Sequence, residues 1–343
     1  MLIRIRQDRA APTRAARRAM LLRMALALGA GSGLPGFSTP AQAAGTPVRL
    51  SSSGIGSAGS VWQPLFDQGK VASKGLDISW IGGDPGQVQT QLLAGAVDVS
   101  AFGALGASEV NGRGGDITIF GPLLHNHGRW IVHEGSPYKS PKDLRGKKIA
   151  TLPPASDTFR HAQMAAALQG LDLRNDFQVV HGPPVGNLAL FSRRDVEAVI
   201  TIEPTATRLV ASGAREIARV GDMWKEATGD TAPLLLNGLG ARRGWVSANR
   251  ATAAAVVKLY TSLNAELRER PQLLAQFHSA MGIPAGETAA IQLLPKRLAE
   301  AYATQWDDKV TAGLDRQIEV AVKLGILARK PERSVYEAPV RAG

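Results

Sequence analysis

Residues 91–106 read QLLAGAVDVSAFGALG and join a helix end, a short apolar run and a glycine-bearing turn. Leu92, Leu93 and Ala94 close an apolar-faced helix that starts near Pro85, and Gly95 stands where a left-handed C-terminal cap favours glycine. Residues 96–101, around Val97 and Val99, are too few for a helix and apolar enough for a strand of a covered parallel sheet. Phe102 and Gly103 follow at its carboxyl end, the edge at which open α/β sheets bind ligands.

Outward from this unit the same rhythm recurs. Strands are predicted at 48–52, 76–81, 117–121, 130–133, 149–152, 177–181, 196–202 and 217–220, with helices near 61–70, 159–169 and 186–192. Asp84 is a candidate cap with Pro85 at the first helical position, and Ser156 or Asp157 is a candidate cap for the helix after Pro153-Pro154. This β-α-β order implies a doubly wound sheet. From Arg250 onward the pattern is helical, over 251–270, 271–281, 287–304 and 310–324, and the tail from Lys330 reads as loosely attached. The rhythm breaks near 121–129 and 229–240, which suggests a hinge.

The chain of 343 residues is 44% hydrophobic and long enough for two domains. No apolar run reaches the ~20 residues that span a bilayer. Residues 1–43 read as an export signal: seven arginines, an apolar core over 24–34, and Ala41-Gln42-Ala43 as the cleavage site. Arg17-Arg18 resembles a twin-arginine signal while Ala16 and Leu22 depart from its usual flanks, so both general secretion and twin-arginine export fit. The formal charge of +11 is inflated by this segment; the remainder holds 33 basic and 28 acidic residues, about +5, which argues against a nucleic-acid partner. With no cysteine, neither a disulfide framework nor a lipid anchor at the cleavage site is available.

Residues 53–60, SGIGSAGS, are small enough for a backbone to approach a ligand, yet they match neither a Walker loop nor a dinucleotide fingerprint, and no cofactor is expected. His125-Asn126-His127 with Glu134 offers too few ligands at a recognisable spacing for a metal, and solvated histidines in a connecting loop are the expectation. No nucleophile elbow or zinc-protease helix is present. The candidate ligand residues are Ser57, Gly83, Phe102 and Gly103 from the first part of the chain, and Ser156, Asp157, Thr158 and Glu203 from the second. Each follows a strand's carboxyl end or precedes a helix. Glu203 has a second reading, as a cap or the ion-pair partner of a nearby arginine such as Arg208.

Three segments, GLDISWIGGDPGQVQTQLLAGAVDVSAFG, SPYKSPKDLRGKKIATLPPASDTF and DVEAVITIEPTATRLVASG, occur in an order and spacing that resemble the sulfonate, nitrate and taurine family of periplasmic solute-binding proteins. The resemblance implies a two-lobed periplasmic-binding-protein fold of type II, with doubly wound sheets and two crossovers. Lobe one would comprise 44–125 plus 233–343, and lobe two 126–232. It further implies a monomer in the periplasm that binds a small solute and delivers it to the membrane permease of an ABC importer. Glu203 matches the acid of the family's aromatic-Glu-Pro element, although Ile202 replaces the aromatic residue. Helix amino termini favour a sulfonate- or carboxylate-like anion, whereas Trp62, Phe102 and Phe159 would suit a flat neutral or aromatic solute. An enzyme on the same fold and a solute-sensing domain are the alternatives; the absence of cysteine and the export signal both weigh against the enzyme.

Overall fold

The computed structural model describes residues 45–338 apart from Lys70 and Lys74; the export signal with its cleavage site, and residues 339–343, lie outside the described residues. The chain begins with β1 (Thr46–Ser53), a 3₁₀ turn (Ala58–Val61) and α1 (Trp62–Asp67), then β2 (Leu76–Gly83), which pairs in parallel with β1. Val48 and Leu50 point into the core from β1 while Arg49 between them stays outside and pairs with Asp98. Next come α2 (Gln87–Leu93), β3 (Ser100–Phe102), α3 (Ala104–Gly112) and β4 (Ile117–His125). Gly95 ends α2 at φ 75°, with Ala96 N–H reaching back to the carbonyl of Gln91, as the sequence leads one to expect. Asp84 does not cap this helix through its side chain; Gly86, at φ 93°, occupies the cap position.

A five-stranded sheet follows, built from β5 (Gly128–Val132), β6 (Lys148–Thr151), α4 (Asp157–Leu168), β7 (Gln178–His181), α5 (Pro184–Ser192), β8 (Ala198–Ile202), α6 (Thr205–Ala211) and β9 (Arg215–Arg219). Its strand order is β7-β6-β8-β5-β9, parallel among β7, β6 and β8 and antiparallel on both sides of β5. Every residue of β8 is buried, and its unbroken AVITI reads accordingly as a strand covered on both faces.

After α7 (Val220–Thr228) the chain returns as β10 (Leu235–Arg242), which lies antiparallel between β3 and β4. This strand corrects the expectation of a parallel sheet around residues 96–101 and occupies the end of the 229–240 stretch, where the rhythm breaks. Gly238 and Gly240 hid it from propensity, and packing explains both: a Cβ on Gly238 would meet the carbonyl of Gly121, and one on Gly240 the Cβ of Phe102. The helices α8 (Arg243–Ala248), α9 (Arg250–Glu269), α10 (Gln272–Gln276), α11 (Thr288–Leu298) and α12 (Asp308–Lys323) complete the chain. The tail is attached, contrary to expectation: Val335 and Glu337 exchange backbone hydrogen bonds with Ile119 of β4, Val335 is fully buried, and Trp306 donates to the carbonyl of Glu337.

Candidate functional site

A cavity of about 40 Å³ opens where the connections after β1, β2 and β4 meet the start of α4, the end of β8 and the middle of β10. Ser57, Gly86, Gln89, His127, Asp157, Thr158 and Asn237 supply its polar wall, and Ala101, Leu124, Ile202 and Leu236 part of its apolar one. Since a water needs roughly 10–15 Å³ measured in this way, the space takes a few waters or one small functional group.

The start of α4 is fixed by its cap. Ser156 accepts from the N–H of Phe159 at 3.2 Å and donates to the carbonyl of Pro153 at 2.7 Å, which commits its hydroxyl to the helix. Asp157 and Thr158 then project into the wall from the first turn, both buried. Oδ2 of Asp157 accepts from Gln89 at 2.6 Å, whereas its Oδ1 lies 3.7 Å from Arg160 and makes no hydrogen bond. Burial pushes this carboxyl up to about 6, against the opposing pull of Arg160, Gln89, the Gly103 backbone and Asn237. Arg160 itself is held by Glu109 at 3.0 Å, by the Ala155 carbonyl at 2.6 Å and by Gln89 at 3.2 Å.

His127 is buried, with Nδ1 2.9 Å from the carbonyl of His125. Burial pushes its pKa down to about 4, so the ring is neutral at pH 7. Its Nε2, Oγ of Ser57, Oδ1 of Asp157 and Oδ1 of Asn237 are all buried side-chain atoms without a hydrogen-bond partner in the protein, and all four residues line the cavity. Each such atom carries a desolvation cost of ~1–3 kcal/mol; those of Ser57, His127 and Asn237 belong to residues that line this space, whereas Oδ1 of Asp157 faces Gly103, Gly106 and Arg160 behind it.

Of the sequence-derived candidates, Ser57, Asp157 and Thr158 come together here. Gly103 stands directly behind them: a Cβ there would sit 2.7 Å from the Asp157 carboxyl and from the Leu236 carbonyl, so glycine is what lets α3 and α4 start side by side. Phe102 is buried under β10, and Gly83 closes the β1–β2 pair, its carbonyl accepting from Gly54 at 2.8 Å. The three aromatics considered for stacking are core residues instead: Trp62 donates to Asn264 at 2.8 Å, and Phe102 and Phe159 are almost wholly buried.

Glu203 is fully buried away from the cavity lining, in an ion-pair network. Its Oε1 takes Arg297 at 2.7 Å and lies 3.6 Å from Arg129, while Oε2 accepts from the backbone N–H of Thr207 at 2.9 Å. Arg208, the partner considered from sequence, pairs with Glu287 at 2.5–2.8 Å. Gln89, His127 and Asn237 were missed. His127 escaped because β4 runs on to His125 and buries what reads as a solvated loop; Asn237 escaped with its strand. Among the described residues no group of three or more His, Cys, Asp or Glu could hold a metal, and no helix is long and apolar enough to cross a membrane.

The family model described as the periplasmic phosphonate substrate-binding protein of ABC transporters matches residues 75–282, more than half of the chain. The chain belongs to this family. It is a periplasmic substrate-binding protein of the kind that serves ABC import systems. Its fold is that of periplasmic binding proteins in solved structures. The aliphatic sulphonate binding protein SsuA of Escherichia coli is 20% identical with a TM-score of 0.65, over 87% of this chain and 94% of that one. The alkanesulfonate-binding SsuA of Xanthomonas axonopodis pv. citri, bound to MOPS, is 18% identical with a TM-score of 0.68, over 85% and 98%. A Candida albicans gene product with the generic periplasmic-binding-protein fold is 11% identical with a TM-score of 0.64, over 87% and 98%. Among curated proteins, none matches the sequence significantly. The sequence resemblance to a periplasmic solute-binding family and the fold it implied therefore hold.

Proposed function

We propose that this protein binds a small organic solute in the cavity between Ser57 and Thr158, closes two lobes over it, and presents the closed form to the permease of an ABC importer. The lining of one space by polar residues from both parts of the chain, Ser57, Gln89 and Asn237 from the one and His127, Asp157 and Thr158 from the other, carries this reading. Lobe one is 44–125 plus 233–343 and lobe two 126–232. The division is supported by the five-stranded sheet arising wholly within 128–219, while β10 returns to β3 and β4. Gln89 and Glu109 of lobe one reach Asp157 and Arg160 of lobe two, contacts that the closed arrangement makes and an opened one gives up. A solute touching both walls then favours closure because only there are all its contacts made.

The protein acts as a monomer in the periplasm after cleavage following Ala43, and releases its solute unchanged. A sulfonate- or carboxylate-like group would meet the hydroxyls of Ser57 and Thr158 and the amino terminus of α4. Against a net anion stands the cavity wall, which contains no lysine or arginine to balance it and does contain Asp157. A thermal-shift screen of organic acids, amines and heterocycles tests the reading, since a binder at about 100 times its dissociation constant adds ~2.7 kcal/mol of stability. A hit should bind more weakly to Thr158→Val and be recovered intact. Chemical turnover of the hit would favour the enzyme alternative, and unchanged affinity in both Thr158→Val and Ser57→Ala would remove the cavity from consideration.

A further inference from the structure

Two side-chain amides beside the chain crossovers have their orientation fixed by hydrogen bonds. Oδ1 of Asn126, between β4 and β5, accepts from the N–H of Gly128 at 3.0 Å, so its nitrogen is the atom that stands 3.0 Å from Nδ1 of His161. Nε2 of Gln317 on α12 donates to the carbonyl of Leu235 at 3.2 Å, which leaves its Oε1 as an acceptor.

His161 of α4 stands between the two, and it and Gln317 are almost wholly buried. Because Asn126 donates to Nδ1, that nitrogen is the lone pair of the neutral ring and the proton is on Nε2. Gln317 acts on the ring as a hydrogen-bonding neighbour that favours its protonated form, which is the effect of an acceptor facing an N–H. Neither Nε2 of His161 nor Oε1 of Gln317 has another partner. The same two crossovers also meet through their backbones, where the N–H of Asn126 donates to the carbonyl of Leu234 at 2.6 Å. One turn before His161, α4 carries Asp157 and Thr158 of the cavity wall.

We propose that His161 is a positioning residue of the clamp. Acting through Asn126 and Gln317, it holds α4 at one setting against both crossovers and α12, and so fixes the angle at which the lobes meet. An apolar side chain would fill the same space without selecting a setting, since dispersion contacts are not directional and hydrogen bonds are. The inference rests on the two-lobe reading.

Spin labels on Lys147→Cys in lobe two and Lys258→Cys in lobe one test it, both positions being exposed and the chain having no other cysteine. Double electron–electron resonance on the solute-free protein reads the distance between them. His161→Leu, with Gln317→Leu in its place should the first fail to fold, should broaden the distance distribution of the labelled parent or add a second distance to it. His161→Gln, which keeps one acceptor and one donor, should restore the parent's distribution. A leucine variant whose distribution matches the parent's overturns the proposal, as does a His161→Gln distribution as broad as that of the leucine variant.

Gln89→Ala combined with Glu109→Ala removes contacts between the lobes away from His161 and separates the two ideas. A distance that responds to this pair and not to the leucine variant leaves the lobes standing and removes the role of His161. A distance that responds to neither removes the lobes as well.

Discussion

Asp157 is ionised at neutral pH although its surroundings favour the proton. Its folded-state value of about 6 lies above the ordinary carboxylate value, so its contribution to stability is present at low pH and lost as pH rises through 6. Asp157→Asn should accordingly stabilise the solute-free protein at pH 7–8, by an amount on the order of 2–3 kcal/mol, and the gain should vanish near pH 4. Urea unfolding across that range measures it; a variant less stable than the parent at pH 8 would mean that Gln89 and Arg160 already compensate the charge. His127 and His161 act with the opposite sign, since burial holds both near 4; their contribution is complete above about 6.5 and lost as pH falls through 4. At this scale the sequence was readable where a residue's role is local. Ser156, Asp157 and Thr158 follow a strand and a proline pair and open an amphipathic helix, and the cap pattern announces them. Glu203 was harder, because an acid at a strand end needs a partner and nothing local shows that the partner is Arg297, on α11 and 94 positions away.

Among the elements, α11 lies against α6 through the Glu203–Arg297 and Arg208–Glu287 pairs. Glu203→Gln leaves Arg129 and Arg297 sharing Glu216 alone and should cost about 3–5 kcal/mol, the usual penalty for breaking a buried pair. Thermal unfolding reads this directly, and solute affinity of the folded variant should be unchanged; a stable variant with weakened binding would instead make Glu203 a contact of the solute. The tail supplies the second test. Truncation after Arg333 removes the buried Val335, the backbone pairing to Ile119 and the Arg243–Glu337 pair, and the valine alone accounts for ~1.5–3 kcal/mol. A truncated protein as stable as the full chain would show that β4 needs no cover at this edge. The strands that alternate, such as β1, or stay apolar throughout, such as β8, were legible, and so were the helices with a clear stripe. The tail and β10 were not, since their order depends on partners distant in sequence: Ile119 for the one, β3 and β4 for the other.

For the whole molecule, the account holds that two walls, contributed by the β3–β10–β4 and five-stranded sheets and their loops, close on one solute. The room left in the closed arrangement, about 40 Å³, is far below the roughly 300–1,000 Å³ of ordinary ligand pockets, so entry of a solute of any size requires the walls to separate. Gln89–Asp157, which is buried, and the partly exposed Glu109–Arg160 ion pair are the contacts that such a separation would break. The binding class was legible because three segments stand in the order of the family they resemble; the cavity's lining by His127 and Asn237 was not, because their neighbours are distant in sequence. Amide hydrogen exchange, with and without a saturating solute that raises the melting temperature, tests the clamp most directly. The account predicts slowed exchange together at residues 53–59, 85–89, 157–160 and 236–237; protection confined to one wall, or appearing only at the α6–α11 contact, would contradict it.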